Sequence, residues 1–254
     1  MISIPIPQEL LSLKKPPKTL FAEGNTSLLQ AKKKIAIVGT RKPNPYTKTL
    51  TFKLAELISQ SGGVVVSGGA LGVDIIAHQG AGKNTIMISP SSLDFPYPKT
   101  NTSIIRQIYS SALALSEYEC NPAPKPYHFL ERNRLVIALS DIVFIPQADL
   151  NSGSMESAKI ALSLNKPIFT LPHRLGESEG TNFLLSISKA KAIYNLQEWI
   201  QEQFGTFSCP QDELLEFCQN TVGFQEAYEK FGEKIYEYEM EGKIKIENGR
   251  IYVC

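Results

Sequence analysis

Two short basic clusters stand next to apolar runs, and turns of small residues lie between and after them. Gly39-Thr40-Arg41 follows the run Ile35-Ala36-Ile37-Val38, and Arg132-Asn133-Arg134 leads towards another apolar run. The turns Ser67-Gly68-Gly69 and Ser152-Gly153-Ser154 contain only serine and glycine. Small residues let backbone N–H groups approach an anion, and arginine holds an anion with a planar fork of donors. Together the four segments predict a pocket for a phosphate-bearing ligand.

Basic and aromatic residues also interleave in the segment Lys125-Pro126-Tyr127-His128-Phe129, just before the second arginine cluster. This combination suits a single-stranded nucleic acid, because cations contact its backbone and flat rings stack on its bases. A structural interpretation stays open. In that case Tyr127 and Phe129 would belong to the core, and one of the arginines would pair with a carboxylate.

Asp74 and His78 come after the Ser67-Gly68-Gly69 turn and would lie one turn apart on a helix. No serine or cysteine nucleophile accompanies them, so the sequence favours a structural role for Asp74 and a place for His78 at or near the pocket wall. Ser154 is expected to cap the helix that follows it, and the free N–H groups of a helix N-terminus form an anion site.

The composition is that of a globular protein rather than a membrane or disordered one. Of the 254 residues, 43% are hydrophobic and 20% charged, and no apolar stretch is long enough to span a bilayer. Met1 to Gln8 lacks the features of a signal peptide, so a cytoplasmic protein is expected. The four cysteines, at positions 120, 209, 218 and 254, form no C-x-x-C pair. No metal site and no cofactor are therefore expected.

Charge is distributed unevenly along the chain. The net charge is only +1, but residues 1–62 hold 10 Lys and Arg against 3 Asp and Glu, whereas residues 196–254 hold 5 against 12. The basic front could bind a polyanion and the acidic tail would repel one. Either charged segment could also be a solvated surface.

Alternating apolar runs and helix-like stretches indicate the fold class. Six Val- and Ile-rich runs predict strands buried on both faces, at residues 35–38, 64–66, 85–89, 112–115, 141–145 and 168–171. Between them lie helix candidates at residues 46–60, 72–81, 99–110, 129–139 and 154–165. Strand and helix in alternation predict βαβ units in an α/β, doubly wound and mostly parallel sheet.

Three segments are predicted. Residues 1–30, irregular and proline-containing, are expected to form a strap packed on the main domain, residues 31–204. Residues 205–254 begin with a linker at 205–210. Short helices and two alternating runs follow, with the hairpin signal Asn248-Gly249 between the runs. This order suggests a winged-helix-like module, whose acidic charge predicts contact with protein rather than with DNA.

With these residues assembled, the chain resembles the DNA-processing protein A family (DprA, also called Smf) over roughly residues 16–194. The motifs that carry the resemblance occur in one order. They are Gly39-Thr40-Arg41, the stretch from Val66 to Asp74 with His78, Tyr97-Pro98, Ser116-Glu117, Phe129 with Arg132-Asn133-Arg134, Ser152-Gly153-Ser154, and Pro172 with Gly180-Thr181-Asn182.

The resemblance implies an extended Rossmann-like domain that binds single-stranded DNA without reading its sequence. It also implies a homodimer that protects incoming single strands and helps load the RecA recombinase in natural transformation and recombination. No catalytic activity is implied.

Roles for individual residues follow from the same resemblance. Arg41 and the turn around it, with Gly39 and Thr40, would grip phosphates, and so would Lys125. Phe129 would stack against a base. Arg132 and Arg134 would line or brace the pocket and Asn133 would fix its shape. Backbone and hydroxyl donors would come from Ser67, Gly68, Gly69, Ser152, Gly153 and Ser154.

Two other functions remain alternatives. One is a nucleotide phosphoribohydrolase similar to the Lonely Guy family, whose Pro-Gly-Gly-x-Gly-Thr-x-x-Glu motif would correspond to the stretch from Pro146 to Glu156; the double glycine is absent here and Glu156 stands one place early. The other is an adaptor protein in which the arginines form surface ion pairs. Such pairs contribute about 0–1 kcal/mol each, so a concentrated set at strand ends would add little stability.

Overall fold

A computed structural model describes residues 1–119, 124–205, 213–218, 222–240 and 242–253. The chain divides into two compact units, Met1–Gly205 (unit 1) and Thr206–Cys254 (unit 2).

Unit 1 is built on a nine-stranded sheet. Its strands in chain order are β1 (Ile2–Ser3), β2 (Phe21–Gly24), β3 (Lys34–Ile37), β4 (Val64–Ser67), β5 (Thr85–Ile88), β6 (Leu113–Ser116), β7 (Ile142–Phe144), β8 (Ile168–Thr170) and β9 (Lys191–Ala192). They lie in the order β1-β2-β6-β5-β4-β3-β7-β8-β9, and β3 to β9 pair in parallel. On one side of β3 the chain adds β4, β5 and β6 in turn; it then crosses to the other side of β3 and adds β7, β8 and β9. Strand order therefore reverses between β3 and β7, and in open α/β sheets ligands bind outside the carboxyl ends of the strands at this point.

Helices cover both faces of this sheet. They are α1 (Gln8–Leu11), α2 (Pro45–Gln60), α3 (Val73–Ala81), α4 (Thr102–Ser111), α5 (Pro126–Ala138), α6 (Gly153–Ser163), α7 (Glu179–Ser186) and α8 (Leu196–Phe204). Side chains of α1, α5, α6 and α7 pack on one face, and those of α2, α3 and α8 on the other. All residues of β3 to β8 are buried, because successive side chains enter opposite cores. The predicted α/β fold with a doubly wound, mostly parallel sheet is confirmed.

The N-terminal 30 residues, predicted as a strap or short helix packed on the main domain, contain the short helix α1 and also two strands. β2 pairs antiparallel with β6, and β1 pairs antiparallel with β2, so this segment extends the sheet by two strands. Leu10, Leu13 and Leu20 of the same segment enter the core cluster on the α5 face. Only Ala22 is buried within β2, which is why no strand pattern is visible in the sequence there.

Unit 2 contains three helices, α9 (Glu213–Cys218), α10 (Phe224–Phe231) and α11 (Lys234–Met240), and three strands, β10 (Val222–Gly223), β11 (Ile244–Glu247) and β12 (Arg250–Val253). The strands form an antiparallel sheet in the order β10-β12-β11. The predicted hairpin is present, and both Asn248 and Gly249 have positive φ, 52° and 72°, as a type I′ turn requires. The winged-helix-like assignment stays a prediction, and the predicted linker beyond Gly205 lies outside the described residues.

None of the helices in the described ranges combines the length and apolar character that crossing a bilayer requires. The same ranges contain no group of three or more His, Cys, Asp and Glu side chains that could hold a metal ion. Cys218 is buried and free; Cys120, Cys209 and Cys254 lie outside the described residues.

Candidate functional site

A pocket of about 340 Å³ opens at the carboxyl ends of β3 and β4, where strand order reverses. We call it the main pocket. The turn after β3, the turn after β4, one face of α5 and the start of α6 surround it. Its lining residues are Val38, Gly39, Thr40, Arg41, Ala70, Asp74, Phe129, Leu130, Arg132, Asn133, Ser152, Gly153, Ser154 and Ser157. Nine of the fourteen residues that the sequence assigned to a site thus lie together.

A second pocket of about 290 Å³ adjoins the main pocket and shares Arg41, Ala70 and Phe129 with it. We call it the side pocket. The rest of its lining is Leu71, Tyr97, Pro98 and Pro124. Leu71, Tyr97 and Pro98 belong to the motifs of the family resemblance, but the sequence assigns them no site role, because the loops that carry them have no periodic pattern.

Arg41 and Phe129 stand between the two pockets and contact each other. The Arg41 guanidinium carbon lies 5.3 Å from the centre of the Phe129 ring, within the range of a cation–π interaction. Tyr97 packs edge-on to Phe129, with ring centres 5.6 Å apart. Arg41 is exposed, and among the described residues it forms no ion pair with a carboxylate. A cation and a partly buried ring are therefore available side by side.

Arg132 has a different place from Arg41. It is buried, with 3% of its side chain exposed, and its Nη1 donates to the carbonyls of Gly68 and, at 2.5 Å, Ile88. Burial lowers the pKa of Arg132 to about 10, which leaves the guanidinium protonated at neutral pH. A Cβ at position 68 would collide with the Arg132 guanidinium, so any larger residue there would displace Arg132. Arg132 thus braces the pocket floor.

Asp74 supplies the counter-charge. Its Oδ2 lies 4.0 Å from Nη2 of Arg132, and it is buried in the floor of the main pocket. Burial raises the pKa of the Asp74 carboxyl, and Arg132 together with the backbone of Ala70, Gly39 and Gly68 opposes that change. The structural role predicted for Asp74 fits this position.

Asp74 also changes the interpretation of the glycine turns. The sequence assigned the backbone amides of Gly39, Thr40 and Gly68 to a bound phosphate. In the structure the backbone of Gly39 and Gly68 acts to lower the pKa of the buried Asp74 carboxyl, and the Thr40 amide donates to the Gln147 carbonyl at 3.0 Å. The Thr40 amide is therefore committed to a neighbouring loop, while the phosphate cradle predicted for the glycine turns stays a prediction.

The Ser67 hydroxyl, another predicted donor, is also used within the protein. Ser67 is fully buried, and its hydroxyl donates to the Ile37 carbonyl at 2.5 Å, which ties β4 to β3. Gly69 does not line either pocket, and its carbonyl accepts a hydrogen bond from Asn101 at 3.3 Å. The Ser67 hydroxyl is therefore committed within the sheet, and the donor roles predicted for the amides of Gly68 and Gly69 stay predictions.

Arg134 lies outside both pockets. Its Nη2 donates to Oε1 of Glu117 at 2.5 Å, as the structural interpretation allowed for one arginine. Helix geometry explains the separation, because residues two positions apart face different directions. Lys125 is also outside the pocket linings; it is exposed where α5 begins, and its backbone N–H donates to Nδ1 of His128 at 3.1 Å.

The start of α6 lines the main pocket, where the sequence predicts an anion site. Ser152, not Ser154, is the N-cap, because its hydroxyl accepts from the Met155 amide at 3.4 Å. Asn133 donates to Ser157 at 3.1 Å, and Ser157 donates to the Gly153 carbonyl at 3.2 Å. Asn133 therefore fixes α6 relative to α5, and Ser157 is a site residue that its spacing along the helix could have suggested.

His78 lies behind the pocket floor rather than in its lining. Its ring is buried, and Nδ1 is 2.7 Å from the Thr85 hydroxyl. That hydroxyl donates to the Val65 carbonyl, so Nδ1 must carry the proton that bonds to Thr85. Burial, and secondarily the charge of Arg132, lowers the pKa of His78 to about 3. His78 is neutral and part of the core.

Glu156 does not support the phosphoribohydrolase alternative. Its side chain is 51% exposed and pairs with Lys159 at 2.6 Å, one turn along α6. It does not line the main pocket. The only carboxylate in that lining is Asp74, which Arg132 and backbone groups hold.

Comparison with known proteins places the chain in a family. Residues 3–204 match the family model for DNA recombination-mediator protein A. This chain belongs to that family. The Rossmann-like sheet, the two pockets and the arginine-containing loops all lie within the matched residues.

Named relatives agree with this assignment. The chain is 34% identical to the DNA processing protein DprA of Bacillus subtilis over 197 residues, which cover 76% of this chain and 66% of that protein. It is 33% identical to the protein Smf of Synechocystis over 173 residues, 66% of this chain and 44% of that one. The matched part is therefore less than two thirds of either relative's length.

Solved structures of this family share the fold. DNA processing protein A from Helicobacter pylori, described for its single-stranded DNA binding mode, is 53% identical with a TM-score of 0.78, and the match covers 79% of this chain and 93% of that one. The DprA structure from Streptococcus pneumoniae is 30% identical with a TM-score of 0.72, over 79% of this chain and 74% of that one.

Proposed function

We propose that the chain binds single-stranded DNA in the main and side pockets without reading its sequence. The observation that carries this proposal is the Arg41–Phe129 contact between two adjoining pockets. Arg41 holds a phosphate there, and the free N–H groups at the start of α6 offer a second anion site. Phe129 stacks against a base, and each base has a π-face, so the contact tolerates any sequence. The Helicobacter pylori relative, a single-stranded DNA binder, supports the ligand class.

The fourteen residues predicted from the sequence divide into two groups in this proposal. Arg41, Phe129, Ser152, Gly153 and Ser154 contact the strand, and Lys125 contacts it next to the pockets. The others position that surface: Gly39, Thr40, Ser67, Gly68, Gly69, Arg132, Asn133 and Arg134.

Salt dependence tests the phosphate contribution. Affinity for a fluorescent oligo-dT should fall as salt rises, with a log–log slope of about −0.7 for each phosphate neutralised. Arg41→Ala should reduce the slope by about 0.7 and weaken binding to oligo-dT and to mixed sequences by the same factor. Anisotropy titrations at several salt concentrations measure both. A slope near zero, or a loss confined to one sequence, would contradict the proposal.

The wider role rests on family membership. We propose that the protein acts in the cytoplasm as a homodimer, protects incoming single strands and helps load RecA in natural transformation, with unit 2 as a winged-helix-like module. We also propose that it is not an enzyme and uses no cofactor or metal. Incubation with AMP should release no adenine. Release that Glu156→Gln stops would contradict this.

A further inference from the structure

A third hollow, of about 510 Å³, lies on the other side of α5 from the main pocket. We call it the outer groove; its lining is Lys15, Pro16, Lys18, Thr19, Glu117, Tyr118, Glu131 and Arg134. Phe129 and Asn133 of α5 face the main pocket, whereas Glu131 and Arg134 of the same helix face the outer groove. One helix therefore separates the two.

The outer groove opens at the same edge of the sheet as the main pocket. β2 runs antiparallel to β6, and Phe21 at its start pairs with Ser116 at the carboxyl end of β6. The residues that precede β2, including Lys15 and Lys18, are therefore brought to the carboxyl edge. Only β5 separates β6 from β4, so the two sites are about 10 Å apart across the sheet at ~4.8 Å per strand. A single strand that already fills the main and side pockets would therefore need only a few further nucleotides to reach the outer groove.

The charge of the outer groove suits a phosphate backbone. Arg134 and Glu117 form an ion pair at 2.5 Å and cancel each other. Glu131 accepts a hydrogen bond from the Tyr118 hydroxyl at 3.5 Å and keeps its negative charge, so the three basic side chains of the lining outnumber the acidic ones by one. Lys15 and Lys18 are exposed, and neither pairs with a carboxylate within the described ranges. Two ammonium groups are thus available at the rim.

Aromatic rings lead over the start of α5 from one site to the other. The rings of Tyr127 and His128 are 4.3 Å apart, and those of His128 and Tyr118 are 4.9 Å apart. Tyr127 is 50% exposed and precedes Phe129 of the main pocket by about half a turn, and Tyr118 lines the outer groove. The His128 ring between them is buried and holds the two tyrosine rings in place. Lys125, exposed at the helix start, lies beside this row. Rings and cations in alternation are the surface that an unpaired strand follows.

We infer that the outer groove is a second subsite for the same single strand, which leaves the main pocket over the start of α5 and places its next phosphates on Lys15 and Lys18. This inference rests on the proposed function and extends it, because it assigns the N-terminal segment to the binding surface. The uneven charge predicts only that the basic residues 1–62 could bind a polyanion, and this inference assigns that part to Lys15 and Lys18.

The test compares oligonucleotides of two lengths by fluorescence anisotropy. An oligo-dT of about 6 nucleotides fills only the main and side pockets, whereas one of about 20 nucleotides also reaches the outer groove. Lys15→Ala/Lys18→Ala should weaken the longer oligonucleotide about tenfold, reduce its salt slope by about 1.4, and leave the shorter one unchanged. Both lysines are exposed, so the variant should fold.

Lys83→Ala/Lys189→Ala is the matched control. Both lysines are exposed and precede parallel strands β5 and β9, at the opposite edge of the sheet. The inference is overturned if the control weakens the longer oligonucleotide as much as Lys15→Ala/Lys18→Ala does, or if both lengths are weakened equally. If the unchanged protein binds neither oligonucleotide, the proposed function itself fails, and the inference fails with it.

Discussion

Phe129 has Arg41 on one side and Tyr97 on another, with its ring centre 5.3 Å from the first and 5.6 Å from the second. Both contacts hold the ring at the boundary of the two pockets. Phe129→Ala should therefore weaken oligonucleotide binding by about 1–3 kcal/mol, the contribution of one base stacked on one ring. Anisotropy titrations with oligo-dT and oligo-dA measure the loss.

A matched control for this substitution is Phe183→Ala. Phe183 is 48% exposed on α7 and lies in neither pocket, so its removal should leave binding unchanged. Equal losses in the two variants would show that Phe129 contributes general stability and not a stacking surface.

His78 makes stability depend on pH. Its folded-state pKa of about 3 lies below the ordinary histidine value of 6.5. Below about pH 6.5 the unfolded chain therefore binds a proton at His78, whereas the folded chain does not bind one until the pH approaches 3. The stabilising contribution is complete above that pH and is lost as the pH falls towards 3. Between pH 7 and pH 5 this residue alone should reduce the free energy of unfolding by about 2 kcal/mol.

Urea unfolding at both pH values tests this, followed by the fluorescence of Trp199, the chain's single tryptophan and a core residue of unit 1. His78→Asn keeps an N–H donor for Thr85 and removes the titration. This variant should lose the pH dependence assigned to His78. The same pH dependence in both proteins would contradict a neutral, buried histidine.

The sequence does not show that the three arginines of the predicted pocket have different contacts. Arg41, Arg132 and Arg134 are alike in type and all stand near small residues, so the sequence predicts one pocket for all three. Their contacts separate them: Arg132 is fixed by carbonyls of Gly68 and Ile88, and Arg134 by Glu117. These partners are 64, 44 and 17 positions away in the chain. Only the fold brings them together.

At the scale of elements, Arg132 joins α5 to the ends of β4 and β5. Arg132→Met would leave both carbonyls without this donor and Asp74 without its counter-charge. Breaking a buried pair in this way costs about 3–5 kcal/mol. Urea unfolding monitored at Trp199 should show a loss of that size. Arg41→Met, at an exposed position, should change stability by less than about 0.5 kcal/mol while still weakening DNA binding. Similar stability losses in both variants would contradict the assignment of Arg132 to bracing the pocket and of Arg41 to contacting the DNA.

A strand can be predicted from the sequence where its own residues form a recognisable apolar run. β3 to β8 are runs of buried apolar residues, and the sequence indicates all six. β1, β2 and β9 are missed because they are short or partly exposed, and their strand conformation depends on neighbouring strands. The outer groove could not be predicted for the same reason, because it forms only when β2 pairs with β6.

At the scale of the whole chain, charge is divided between the two units. Unit 2 holds 10 Asp and Glu against 5 Lys and Arg, and unit 1 holds the basic excess. Each unit has its own core cluster among the described residues. A chain ending at Gly205 should therefore bind oligo-dT at least as tightly as the full chain, since an acidic unit repels DNA. Anisotropy titrations of the two proteins at one salt concentration compare them; a clear loss in the shorter chain would show that unit 2 contacts the strand.

The most direct test of the Arg41–Phe129 site is photo-crosslinking of the full-length protein to an oligonucleotide carrying 5-iodouracil, with the attached residue identified by mass spectrometry. A base stacked on Phe129 places the reactive carbon against that ring, so the peptide containing Phe129 should carry the major crosslink, and Phe129→Ala should abolish it. A major crosslink on a peptide outside the main and side pockets, unchanged by Phe129→Ala, would contradict the account.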